Sequence, residues 1–299
     1  MSDHRVLVSC PIIFDDIDDY ASRFAANEIT YDVADVDQQL TEAELLKIID
    51  EYDGILAGDD EFTRAVIEAG DHLQVISKWG IGVDSIDIEA AEDNGVAVKN
   101  TPGAFDDEVA DVVVGYAIML TRHLHTVDRS VRQGEWACPR GVSLAGKTFG
   151  VIGVGSIGST VARRAAALGM EVLGTDVQPF PGGLREDTSI KRVDRGELLA
   201  RSDIVSLNCA LTPATRGMIG AEELVSIGAD GYLINTARGE LVDQDALVDA
   251  LADGTVAGAA LDVFEEEPLP AEDPLTDFDN VILGSHNAQN TREAVARVH

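Results

Sequence analysis

The sequence predicts an α/β chain with two doubly wound parallel sheets. Short apolar runs alternate with helical patterns, a turn signal and one long helical pattern interrupt the alternation, and it then resumes. Repetition of this kind implies parallel strands covered on both faces. At 299 residues and 45% hydrophobic content, the chain has room for two cores of ordinary size.

In the first half, apolar runs at residues 6–9, 29–33, 54–57, 74–77 and 96–98 read as strands, and residues 16–26, 41–52, 63–69 and 85–94 as helices. After the turn signal Thr101-Pro102-Gly103, an amphipathic pattern extends from Asp106 to about Gln133. It is too long for an ordinary βα connector and reads as a helix bridging two domains. Six further strands are expected at 148–152, 171–175, 204–207, 232–235, 256–260 and 281–283, with residues 291–299 beginning a last helix.

The most telling motif is Gly153-Val154-Gly155-Ser156-Ile157-Gly158, because an apolar strand leads into it and a helical pattern leads out. Gly153 would permit the tight turn, Gly155 the close approach of a pyrophosphate, and Gly158 close helix–strand packing. Free N–H groups at the helix start would then face the phosphates. The next strand ends at Asp176, where a carboxylate accepts hydrogen bonds from the ribose hydroxyls and repels a 2′-phosphate. A Rossmann domain binding NAD in preference to NADP is the expectation.

Composition sets further bounds. The chain carries 54 acidic against 22 basic residues, a formal net charge of −32. Nucleic acid and anionic membranes are therefore poor partners, and the composition is similar to that of proteins from salt-loving organisms, in which molar salt screens self-repulsion. The sequence shows no secretory pattern and no apolar run long enough to span a bilayer, so a cytoplasmic location is expected. Cys10, Cys138 and Cys209 have neither metal-site nor redox spacing and read as reduced, mostly buried residues. His123 and His125, two apart on a helix, do not share a face and form no metal pair; no metal is expected. Trp79 and Trp136 read as packing residues.

Three successive strand ends in the second half carry polar residues suited to one crevice: Arg238, then Asp262 and Glu267, then His286. Ligands bind at the carboxyl edge of open α/β sheets. A guanidinium holds a carboxylate through paired hydrogen bonds, and oxidation of an alcohol needs a base such as histidine for the hydroxyl proton. A carboxylate on the histidine's other nitrogen would orient it, the role assigned to Glu267.

With these residues in view, the chain resembles the D-isomer-specific 2-hydroxyacid dehydrogenase family across nearly its whole length. The resemblance rests on Gly80-Ile81-Gly82-Val83-Asp84 with Ile86-Asp87, on Asn100-Thr101-Pro102-Gly103, on the glycine loop, and on residues 235–239 and 260–268. It implies a Rossmann NAD-binding domain over residues 102–287, including the linking helix 106–133. It also implies a flavodoxin-like substrate domain over 1–101 with 288–299 as a partial return helix, and a cleft closing on cofactor and substrate. It places Arg238, Glu267 and His286 as the catalytic set and Ile81, Ser156, Ile157, Cys209, Thr236, Ala237 and Asp262 at cofactor-contacting positions. Lys78, Gly80 and Arg238 fall at substrate positions, and a homodimer through the cofactor domain and the 106–133 helix is implied.

Two departures stand out: the polar run Ser285-His286-Asn287-Ala288-Gln289 around the histidine, which bears on substrate choice, and a C-terminal helix that stops at His299, which implies a trimmed chain or a less buttressed domain. The Glu267 and His286 pair argues against formate. Asp59-Asp60-Glu61 near Lys78 would repel a phosphate, so glyoxylate or hydroxypyruvate ranks level with 3-phosphoglycerate. The alternative is a non-catalytic NAD-sensing or corepressor-like protein on the same fold.

Overall fold

The computed structural model describes residues 4–299. The described residues divide into two compact units, residues 4–104 with 295–299, and residues 105–294.

Among the described residues, the first unit contains strands β1 (His4–Val8), β2 (Ile29–Val33), β3 (Gly54–Ala57), β4 (Val75–Lys78) and β5 (Ala97–Lys99), all parallel, in the order β2-β1-β3-β4-β5. This is the flavodoxin-like order, with its reversal between β1 and β3. Leu7, Ile55 and Ile76 on the central strands meet Leu45, Val66 and Ile67 from the covering helices in one apolar core. Helix Arg64–Ala69 starts where the Thr63 hydroxyl accepts from the Val66 N–H, and helix Ile88–Asp93 where the Asp87 carboxylate accepts from the Ala90 N–H. The helical patterns expected at 16–26 and 41–52 are broken: a 3₁₀ turn, Ile17–Tyr20, precedes helix Ala21–Ala26, and short turns separate Glu42–Leu45 from Ile49–Glu51.

The second unit holds β6 (Thr148–Ile152), β7 (Glu171–Thr175), β8 (Lys191–Arg192), β9 (Ile204–Leu207), β10 (Tyr232–Asn235), β11 (Gly258–Leu261) and β12 (Val281–Leu283) in one parallel sheet. Read from β8, the order is β8-β7-β6-β9-β10-β11-β12, the Rossmann order with one strand added. The central strands β9 and β11 are buried at every residue, as strands covered on both faces must be. The expected six strands become seven: β8 is two exposed cationic residues at the sheet edge, too short and too charged to give an apolar signal. The expected 256–260 strand begins two residues later and ends one later, as Gly258–Leu261.

The single long helix expected from 106 to about 133 is two helices, Asp106–Arg122 and Leu124–Arg132, separated by His123 in the left-handed region at φ 54°. The physical reason lies in the returning chain, where the Val142 N–H takes the Thr121 carbonyl at 2.8 Å, an acceptor that a continued helix would use itself. Residues 131–143 are exposed throughout. Trp136, expected to pack, is 83% exposed within this chain. Of the three free cysteines, Cys10 is buried, Cys209 is half-buried and Cys138 is exposed. Among the described residues no helix is long and apolar enough to cross a membrane.

Candidate active site

All the second unit's predicted site residues lie just past the carboxyl ends of parallel strands or at the start of the helix that follows. Gly153 follows β6, Asp176 follows β7, Cys209 follows β9, Arg238 follows β10, Asp262 and Glu267 follow β11, and His286 follows β12. Parallel register puts these ends on one edge of the sheet.

The glycine loop has the geometry of a phosphate cradle. Gly153 adopts φ 86°, and a Cβ there would fall 2.6 Å from the Cys209 nitrogen. A Cβ on Gly158 would fall 1.9 Å from the Gly153 carbonyl oxygen, so helix Ser156–Ala167 can lie this close to the loop only without one. Gly155 differs, since a Cβ there would meet nothing within 4 Å, and it is exposed. Space is thus kept open in front of the helix start, whose first capping bond runs from the Ser159 N–H to the Gly155 carbonyl at 3.0 Å. The N–H groups ahead of it are those a helix leaves for an external acceptor. Asp176 braces the loop: one carboxylate oxygen accepts from the Val154 N–H at 2.6 Å and the other from the Gln178 N–H at 2.7 Å. A carboxylate has further lone pairs for ribose hydroxyls. An NAD dinucleotide fits these residues.

Glu267 and His286 form an ion-pair geometry at 2.7 Å between Oε2 and Nδ1. The other Glu267 oxygen accepts from the Phe264 N–H at 2.9 Å, so the carboxylate is held from both sides. Their side chains are 21% and 25% exposed, buried enough to be fixed yet open to solvent and solutes. His286 has φ 52°, unusual for a residue with a Cβ. Its N–H donates to the Asp262 carbonyl at 2.7 Å, and its own carbonyl accepts from the Gln289 side chain at 2.9 Å.

Asp262, predicted to contact cofactor, is buried, and its carboxylate accepts from the Ala288 N–H at 2.8 Å and the Tyr116 hydroxyl at 3.3 Å. Burial pushes its carboxyl above the ordinary range, against the pull of the Ala288 and Asn287 N–H groups. With its carbonyl on the His286 N–H and its carboxylate on the Ala288 N–H, Asp262 clamps the segment from His286 to Ala288. Gly284 makes room for this clamp, since a Cβ there would fall 2.1 Å from the Asp262 Oδ1.

Arg238 lies in a loop braced by Asn235, which donates to the Arg238 carbonyl at 2.7 Å and accepts from the Ala237 N–H at 3.1 Å. Its guanidinium donates to the Ala237 carbonyl at 2.8 Å. A Cβ on Gly239 would fall 1.9 Å from the carbonyl carbon of Phe264. The arginine loop therefore packs directly on the segment that donates to Glu267. Thr236 and Ala237 are half-buried in the same loop. Cys209 lies against Gly153, and burial pushes its thiol up to about 11, leaving it neutral at working pH.

In the first unit, Asn100 donates to the Ile81 carbonyl at 2.7 Å, and the Thr101 N–H and hydroxyl reach the Gly80 carbonyl at 2.9 and 3.0 Å. Two motifs separate in sequence thus hold each other. Lys78 is 4% exposed and pairs with Asp59 at 2.7 Å. The three acids expected to repel a phosphate each have partners within this unit. Asp59 is paired, Asp60 is fully buried and accepts from Ser9, Leu40 and Gly58, and Glu61 accepts from the Glu42 N–H at 2.8 Å.

Sequence reading missed the Phe264 N–H, Tyr116, Gly284 and the Asp262 clamp, all contacts that only the folded chain brings together. The His125 Nε2–H donates to the Asp279 carbonyl, 3.0 Å away.

Comparison with known proteins agrees with this geometry. Residues 114–288, more than half of the chain, match the family model described as D-isomer specific 2-hydroxyacid dehydrogenase, NAD binding domain. A D-3-phosphoglycerate dehydrogenase of Methanocaldococcus jannaschii is 42% identical over 260 residues, 85% of this chain and 49% of its own. The chain thus spans about half the length of that relative. A hydroxypyruvate reductase of Thermotoga maritima is 36% identical over 304 residues, covering 100% of this chain and 95% of its own. The crystal structure of a glyoxylate reductase from Paecilomyes thermophila superposes with a TM-score of 0.88 at 31% identity, over 100% of this chain and 92% of that one. All three are named as enzymes, and none as a sensing or corepressor protein. The chain belongs to the D-isomer-specific 2-hydroxyacid dehydrogenase family, NAD-dependent oxidoreductases that interconvert a D-2-hydroxy acid and its 2-keto acid.

Proposed function

We propose that Arg238, Glu267 and His286 carry this reaction, and that the acid is a short one of the glyoxylate or hydroxypyruvate class. The observation that carries the catalytic reading is the 2.7 Å Glu267–His286 pair on the same sheet edge as the glycine loop. When bound, NAD supplies the hydride acceptor. Arg238 holds the substrate carboxylate through paired N–H groups. His286 takes the hydroxyl proton on oxidation and returns it to the ketone oxygen on reduction, through Nε2, because Nδ1 is engaged by Glu267. Glu267 fixes the orientation and tautomer of the ring through Nδ1.

Ile81, Ser156, Ile157, Cys209, Thr236, Ala237 and Asp262 are proposed cofactor contacts, and Lys78 and Gly80 substrate contacts. The substrate preference follows from Lys78: Asp59 already neutralises it, which leaves it a weak ligand for a dianionic phosphate. Residues 131–143, with Trp136 exposed, suit a homodimer interface, and the charge of −32 suits a cytoplasm rich in salt.

The test is NADH oxidation in molar KCl with glyoxylate, hydroxypyruvate, pyruvate and 3-phosphohydroxypyruvate, repeated in dilute buffer. Turnover is expected on the short acids ahead of the phosphorylated one and is expected to fall without salt. NAD binding without turnover on any of them would defeat the catalytic reading, a reversed ranking the substrate reading, and full turnover in dilute buffer the salt reading. A monomer by light scattering in molar KCl would remove the dimer.

A further inference from the structure

We infer that Asp106 makes cofactor binding salt-dependent by competing with the dinucleotide's diphosphate for the Ser156 hydroxyl, an inference that rests on the glycine loop being the diphosphate cradle. Ser156 is the first residue of the cradle helix, and its hydroxyl donates to the Asp106 carboxylate. The other Asp106 oxygen is buried and has no hydrogen-bond partner among the described residues. A carboxylate with only one of its oxygens hydrogen-bonded, to Ser156, therefore stands against the helix start that would receive a second anion.

The neighbouring acids do not share this position. Asp107 and Asp111 both pair with Arg164, at 3.0 and 3.1 Å, and Glu108 is buried. Arg164 belongs to the same helix as Ser156 but lies two turns further on, so its charge is spent on those two acids. Asp106 thus remains as the acid of this turn that faces the cradle through Ser156.

The consequence is a reversed salt effect. Two anions a few ångströms apart repel strongly in dilute buffer, where the Debye length is about 10 Å at 0.1 M, and weakly in molar salt, where it is about 3 Å. Affinity for NAD(H) at this cradle should therefore rise with KCl, whereas an anion bound by cationic side chains loses affinity as salt rises. When the diphosphate arrives, the Ser156 hydroxyl turns from Asp106 to a phosphate oxygen, and Asp106 loses its neutral partner as well. Both costs shrink as salt screens the carboxylate.

The experiment is a fluorescence titration of NADH into the full chain from dilute buffer to molar KCl, with folding checked by circular dichroism in each buffer. It uses wild type, Asp106→Asn and Asp230→Asn. Asp230 is an exposed acid just ahead of β10, at the amino end of the same sheet, so its variant carries the same change of charge away from the cradle. Asp106→Asn should tighten NADH binding about ten-fold in dilute buffer and about two-fold or less in molar KCl, flattening the salt dependence. Asp230→Asn should leave the wild-type slope nearly intact. Equal slopes for the two variants would overturn the inference and assign the effect to net charge.

A fourth variant, Gly155→Val, separates this from failure of the cradle itself. A Cβ there meets nothing within 4 Å, so the variant should fold, as circular dichroism checks, while its side chain fills the diphosphate's place. Unchanged NADH affinity in Gly155→Val would overturn the cradle and the inference together. Lost affinity, with Asp106→Asn behaving as expected, supports both.

Discussion

Asp60 and Glu267 both follow a strand at the carboxyl edge of a parallel sheet, one in each unit, and do different work. Asp60 is wholly buried, with its oxygens taken by the Ser9 hydroxyl at 2.6 Å, the Leu40 N–H at 2.7 Å and the Gly58 N–H at 3.0 Å. Glu267 spends one oxygen on a backbone N–H and the other on an imidazole that stays a quarter exposed. A carboxylate closed in by neutral donors staples loops together. The same group with one titratable, accessible partner positions a base. Partner chemistry and access, more than place in the fold, divide structural from functional acids here.

The largest expected effect that sharpens this contrast is on turnover. His286→Ala should lower kcat by about 10²–10⁴, the usual range for loss of a general acid–base, with NADH affinity kept. Asp60→Ala should do the reverse. It leaves buried donors unpaired at about 1–3 kcal/mol each, seen as a lower denaturation midpoint, while turnover per folded molecule holds. A large drop in kcat for Asp60→Ala at full folding would break the comparison.

Next in size is a pair of glycine substitutions, one from each edge. Gly239→Ala drives a methyl into the Phe264 backbone and should cost about 3 kcal/mol, at the upper end for overpacking. Gly58→Ala meets nothing closer than 3.5 Å and should change stability by less than about 0.5 kcal/mol. Chemical denaturation of both measures the difference, and equal costs would show that the two loops are not packed as described.

The smallest effect concerns pH. Burial holds the Asp60 carboxyl above its ordinary range, against the hydrogen bonds it accepts. An acid raised in the folded state contributes stability that is fully present below its unfolded pKa and lost as pH rises through the folded value. Asp60→Asn should therefore lose less stability than wild type as pH is raised from acid toward neutral, whatever its absolute stability. A parallel pair of curves from thermal melts would show that Asp60 does not titrate in that window.

Much of this was legible in the sequence because strong local patterns produced it. Residue pattern places the glycine loop between an apolar run and a helix pattern, where it lies, and Arg238, Glu267 and His286 after three successive strands, where they lie. What escaped were features decided by tertiary partners. The helix break at His123 follows from Val142 capturing the Thr121 carbonyl, and β8 is two charged residues recruited by the edge of β7. Asp59, Asp60 and Glu61 read as three acids that would repel a phosphate, and only the fold supplies Lys78, Ser9, Leu40, Gly58 and Glu42 as their partners. The Asp106–Ser156 contact spans 50 residues, a separation at which residue patterns carry no signal.

The central claim is that Glu267 acts through His286 rather than on its own. A double-mutant cycle in kcat tests it most directly, using Glu267→Gln, His286→Ala and the combined variant, each shown by circular dichroism and NADH binding to be folded. The prediction is that Glu267→Gln lowers turnover in the wild-type background, on the order of ten-fold or more, and adds almost nothing once His286 is gone. Losses that multiply in the double variant would contradict it, and would mean that the two residues serve the reaction independently.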